Sequence, residues 1–275
     1  MVSSSWLLLR QLCFALIVGM ASLTAEASAF SVSSSSSSSA ATPAAAQAKD
    51  KVLSLDHLVF VVPDLAEAMD EMEERTGVRP ALGGKHTTLG THNAFLSVGD
   101  GSYIELFAPD PDATVPLKNL IGVDGPKPRL STYCCHAGFV GIDNLVSKLS
   151  ASKEHASLFP SEVEAGSRTN DKDGSLISWK VAVDRHSVPS SDLPLDGLLP
   201  FFIDWGDCYN VRPGLTAPTG CTLKHLTAYH PDPARVQSAL HEIGHGIENI
   251  VTVKEGPKAR LVATLDTPKG EVEIA

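Results

Sequence analysis

Nowhere in the 275 residues do two cysteines form a C-x-x-C pair, and this absence removes a cysteine-based zinc site from consideration. Only 5 cysteines are present. Cys13 falls in the apolar N-terminal stretch. Cys134 and Cys135 are adjacent and point to opposite faces of any strand that carries them. Cys208 and Cys221 flank a Gly/Pro-rich loop and read as two free thiols, which suits a reducing compartment. Basic clusters are missing as well. Lys and Arg number 22 against 32 Asp and Glu, the net charge is −10, and the cations are scattered, which excludes a nucleic-acid surface. Long apolar runs are absent beyond the N-terminus, and the one there is short and broken by Arg10, so no membrane association is expected after that leader is removed. What remains is 43% hydrophobic and 20% charged, ample for a globular core.

The N-terminus reads as targeting sequence. "LLLRQLCFALIVGMASLTAEASAF" has an apolar h-region followed by the A-x-A pattern Ala27-Ser28-Ala29, so residues 1–29 are expected to be a signal peptide. Residues 30–50, rich in Ser and Ala with no acid before Asp50, cannot build a core and read as a transit segment. The two together resemble the bipartite plastid-targeting leaders of algae with secondary plastids; ordinary secretion with a Ser-rich linker is the alternative.

"HEIGHG", residues 241–246, matches the H-E-x-x-H zinc-peptidase pattern. Gly244 and Gly246 favour helix termination inside it. A larger pattern competes with it. "DHLVFVVPDLAEAMDEMEERTGV" reads as an apolar strand opening at His57, a Pro63-Asp64 cap and a helix with Leu65, Ala68, Met69 and Met72 on one face. "NAFLSV", "GDG" and "SYIELF" then read as strand, turn and strand. The same order recurs from His136 and from His225. Asp64, Asp143 and Asp232 each stand seven residues after their His, and the units close on Glu105, Asp204 and Glu273. The expected fold class is therefore α+β, with three βαβββ modules at 51–128, 129–207 and 221–275. His57, His136 and His225 are each expected to open a strand that leads into a helix.

A His and an acid among apolar neighbours are costly to bury without a partner. Paired modules could aim two of each into one cup, a mixed N/O site suited to Zn, Ni, Co, Fe or Mn. "LDHLVFVVPDL", "GGKHTTLGTHNAFLSVGDGSYIELFAP", "EAGSRTNDKDGSLISWKVAV" and "LLPFFIDWGD" resemble the glyoxalase-like branch of the vicinal oxygen chelate superfamily, over residues 55 to 230. That resemblance implies paired modules around a divalent metal, with the ligand set falling on His57, Glu105, His136 and Asp204. His225 and Glu273 are the alternative second half. It also implies a small-molecule substrate with two adjacent oxygens on the metal.

Asp204 stands where a Glu is usual in the family, and "CYNVRP" stands where His-Pro often follows. His86, Thr91 and Asn93, in the Gly-rich lead-in to the hairpin, are candidates for substrate binding. Arg168 is a candidate carboxylate clamp, or else a solvated turn residue. Trp179 and Trp205 read as core. Glu105 is the expected base. The chain thus reads as a metal-dependent lyase or isomerase of a small oxygenated metabolite. A non-catalytic binding protein on the same scaffold and an HExxH zinc peptidase are the alternatives, and a homodimer is left open.

Overall fold

Each helix begins where the side chains satisfy its first free N–H groups and ends where the chain can leave the helical basin. In the computed structural model, which describes residues 52–86, 88–117, 121–123, 125–169, 174–183 and 193–275, strand β1 (Ser54–Val61) runs into helix α1 (Leu65–Thr76). Asp64 caps that helix by accepting from the Glu67 N–H at 2.9 Å, and Gly77 ends it in the left-handed region at φ 80. Leu65, Ala68, Met69 and Met72 are buried, as their spacing predicts. β2 (Ala81–His86), β3 (Thr91–Ser97) and β4 (Tyr103–Pro109) complete the first unit. The second unit comprises β5 (Arg129–His136), α2 (Ile142–Ser150), β6 (Glu164–Thr169), β7 (Leu176–Ala182) and β8 (Phe201–Asp204). The expected leader segments, residues 1–29 and 30–50, lie outside the described residues.

The two units share one eight-stranded sheet in the order β2-β3-β4-β1-β5-β8-β7-β6. This order is palindromic. The first strand of each unit lies at the centre, the last strand pairs parallel with it, and the second forms the edge. β1 and β5 meet antiparallel, with His57 opposite Cys134. A β-bulge between Leu55 and His57 leaves Asp56 outside the regular pairing.

β9 (Thr222–His230), α3 (Pro233–Ile243), β10 (Thr252–Glu255), β11 (Arg260–Thr267) and β12 (Gly270–Ile274) repeat the element order a third time. Their sheet is wired differently, as β10-β9-β11-β12, so here the first strand pairs with the second and third rather than with the last. This sheet packs on the other two units through one continuous core. Leu226, Ala228, Val236 and Leu240 join Met72, Leu145 and Tyr133 in that core. Three charged side chains tie the surface: Arg75 Nη2 donates to the Glu273 carbonyl, Lys269 Nζ to the Glu74 carbonyl and Lys148 Nζ to the Glu242 carbonyl.

The structure corrects three expectations. His136 ends β5 instead of opening a strand, and His57 and His225 are each the fourth residue of theirs. His225 and Glu273 are exposed on the outer sheet, both registered with Thr264, and supply no half of a shared site. α3 ends at Ile243, and His245 lies beyond Gly244 with φ 53, so the two His of "HEIGH" do not stand one turn apart on a helix and the peptidase geometry is absent. No helix among the described residues is long and apolar enough to cross a membrane.

Candidate functional site

The concave face of the eight-stranded sheet encloses a cavity of about 170 Å³. His57 reaches it from β1, His86 from β2, Asn93 from β3, Glu105 from β4 and Arg168 from β6. Trp179, Phe201, Ile203 and Trp205 also line it; Trp205 is buried in a core cluster with Cys134, Ile177 and Ile203, and Trp179 packs against that cluster, so the two tryptophans are core that borders the cavity.

A single string of polar contacts orders this wall. The Asn93 side-chain oxygen accepts from the Gly84 N–H at 2.9 Å, which fixes the amide orientation. Asn93 Nδ2 therefore donates to Glu105 Oε1 at 2.6 Å and faces His86 Nε2 at 3.3 Å. His86 Nδ1 meets Thr91 Oγ1 at 2.9 Å, so Thr91 positions His86 from behind. Burial holds the His86 pKa below its usual value, favouring the neutral ring that can accept from Asn93. Gly83 makes room for this arrangement: a Cβ there would lie 2.3 Å from the Asn93 oxygen.

On the other side, His57 Nδ1 contacts Asp56 Oδ1 at 2.8 Å, and the Trp205 indole N–H donates to Asp56 Oδ2 at 2.8 Å. Asp56 is only 1% exposed, and both its oxygens are engaged. The bulge turns this carboxylate back toward the ring of the next residue, and Asp56 escaped the sequence reading because a bulge leaves no periodic trace. With Nδ1 donating to Asp56, the lone pair of His57 Nε2 faces Glu105 Oε2 across 3.5 Å, longer than a charge-assisted hydrogen bond. The His57 ring is stacked on Tyr103 at 4.8 Å and met edge-on by Phe201 at 5.4 Å. Burial raises the Tyr103 pKa well above its ordinary value, so that phenol stays neutral.

His136 and Asp204 do not join this pair. His136 packs between Phe139 and Tyr209, at 4.9 and 4.7 Å, with Nδ1 buried and unpartnered, and neither residue lines the cavity. Asp204 Oδ1 accepts from the Gly206 N–H at 2.9 Å. The strand register explains the outcome. His57 pairs with Tyr103 and Glu105 stands two residues on, while Cys134 pairs with Phe201 and Ile203 stands two residues on. Cys134 and Ile203 thus occupy the positions that correspond to His57 and Glu105.

Asp56, His57 and Cys134 bring three potential ligand atoms within 4.8 Å of one another. Asp56 is consumed by His57 and Trp205, and burial keeps the Cys134 thiol protonated by pushing its pKa well up. The donor set therefore fits a divalent ion held through His57 Nε2 and Glu105 Oε2, with its other positions open. It does not fit a closed four-residue centre.

A glyoxalase-like domain model matches residues 55–244. No curated protein matches the chain. A hypothetical protein from Staphylococcus aureus is 15% identical, covering 81% of this chain and 84% of its own, with a TM-score of 0.51. Methylmalonyl-CoA epimerase from Mycobacterium tuberculosis is 16% identical over 55% of this chain and 87% of its own, with a TM-score of 0.33. With its palindromic sheet and a family match spanning well over half its length, the chain belongs to the glyoxalase-like family of the vicinal oxygen chelate superfamily.

Proposed function

We propose that this protein is a lyase or isomerase that moves a proton on a small oxygenated acid in the cup formed by its first two units. The observation that carries this reading is the facing pair of His57 Nε2 and Glu105 Oε2, each fixed from behind and neither bonded to the other. Two facing lone pairs call for a positive group between them. A proton on Nε2 serves, with Asp56 stabilising the imidazolium. A divalent ion on the same two atoms would supply a Lewis acid for adjacent substrate oxygens.

Asn93 occupies Glu105 Oε1, so Oε2 alone faces the cavity and takes the carbon-bound proton. His57 Nε2 meets the oxygen on which charge develops. Arg168, without a hydrogen-bond or ion-pair partner among the described residues, receives the substrate carboxylate. His86 holds Asn93 and borders the substrate space.

The test is hydrogen–deuterium exchange at the carbon next to the oxygen of small 2-oxo and 2-hydroxy acids in heavy water, followed by NMR. Wild type should exchange at least one of them, and Glu105→Gln should lose roughly 10²–10⁴-fold while keeping the fold. Elemental analysis of wild type and His57→Ala establishes whether an ion is held. The apolar Cys134 and Ile203 at the positions corresponding to His57 and Glu105 favour a second reading, a binding protein without turnover. Tight acid binding with no exchange would establish it. Delivery to a plastid through the secretory route is the proposed localisation, and secretion of a leader–reporter fusion into the medium would overturn it.

A further inference from the structure

Beside the main cavity lies a second, apolar space of about 40 Å³. The two abut across Ile121, Val183 and Phe201, which line both. Beyond them the annex is bounded by Leu158, Pro160, Leu193, Pro194, Leu199 and Pro200, none of which carries a charge or a side-chain polar atom. The main cavity is lined by both polar and apolar groups: Arg168, His86, His57 and Glu105 supply the polar ones, and Phe201, shared with the annex, is among the apolar ones. At roughly 10–15 Å³ per water-sized group, the main space takes on the order of a dozen groups and the annex about three.

We infer that the ligand is an amphipathic monoacid, with its carboxylate at Arg168, its oxygenated carbon at His57 and Glu105, and a short unbranched apolar tail passing Phe201 into the annex. This rests on the proposed acid–base reading and adds the substrate class. A space walled mainly by Leu and Pro side chains favours carbon over water. Arg168, which lines the main cavity and has no hydrogen-bond or ion-pair partner among the described residues, selects an anion at the other end of the molecule. Phe201 is half-buried and touches the His57 ring by its edge, so a tail that passes it is held beside the reacting carbon.

The probes are straight-chain 2-oxo acids from pyruvate to the octanoate homologue, with their methyl esters. Binding to the purified chain is read from the fluorescence of Trp179 and Trp205 in the cavity wall. Affinity should rise roughly threefold to fourfold per added methylene, equivalent to about 0.8 kcal/mol, and level off once the annex is full. The esters should bind far more weakly than the acids. Leu158→Trp fills the annex without touching the polar wall. It should erase the gain for the longer acids and leave pyruvate binding unchanged. Leu158→Ala should move the plateau to a longer acid, and it decides the matter alone if the Trp variant does not fold. Affinity independent of tail length, or esters equal to acids, overturns the inference. If acids bind and exchange without tail dependence, the substrate class falls and the acid–base reading stands; if no acid of any length binds, both fall.

Discussion

Asp56 is the residue on which the site turns. It is buried, it precedes His57 in sequence, and it stands in the bulge that lets its carboxylate reach back to the imidazole. Removing its charge while keeping its shape should leave the packing intact and change which His57 nitrogen carries the proton. Asp56→Asn is therefore expected to reduce proton exchange by roughly 10²–10⁴-fold, the range for disabling a positioned general acid or base, with little change in melting temperature. The readout that separates positioning from mere stability is the split between exchange rate and substrate affinity, with the rate falling and the affinity held. An unchanged rate would remove Asp56 from the mechanism. Gly83 tests the other end of the string. A Cβ there meets both the Asn93 oxygen and the Phe95 ring, so Gly83→Ala should push Asn93 off Glu105. Activity should fall toward that of Asn93→Ala, which a direct comparison of the two variants checks.

At the scale of elements, most of the first unit was legible in the sequence, because the 3.6-residue spacing in α1, its Asp64 cap and the paired apolar faces of β1 all point one way. Five of the candidate residues, His57, His86, Asn93, Glu105 and Arg168, line one cavity. The second unit was misaligned by two residues. Helix caps fall seven residues after the aligned strand position: Asp64 after His57 and Asp232 after His225, but Gly141 after Cys134. His136 and Asp143 mimic that spacing from two residues further on. A shift of two preserves the side-chain parity of a strand, so neither alternation nor burial could expose it; only the pairing of His57 with Cys134 does. The caps also differ in strength. Asp64 makes a side-chain bond to its helix and Gly141 makes none, so Asp64→Ala should cost about 1 kcal/mol by denaturant titration. A cost indistinguishable from zero would mean that tertiary packing alone holds α1.

At the scale of the whole molecule, the third unit covers the sheet rather than building a second site. Its rewired strands bury Leu226, Ala228 and Leu261 in the same core as Tyr133 and Leu149, behind the cup. Two buried or partly buried imidazoles, His86 in the cup and His136 outside it, bear on how the protein responds to acid. His86 and His136 both have pKa values lowered by burial, which penalises the charged ring. The unfolded chain titrates its histidines near the ordinary value of about 6.5, so below that pH it binds protons that the folded form refuses. The stability these two rings contribute is thus fully present above about 6.5 and is lost as pH falls toward their depressed folded values. Melting temperature should decline over that interval. Glu105 opposes the lowering at His86, and Asp56 and Asp204 oppose it at His136, while Arg168, His92 and Arg212 add to it. His136 sits among aromatic rings with Nδ1 unpartnered, so His136→Phe removes both the titration and an unsatisfied buried nitrogen. That variant should match or exceed wild type at neutral pH and lose less on acidification, as parallel melts across the interval would show. An equal acid loss in both proteins would place the sensitivity on groups other than His136.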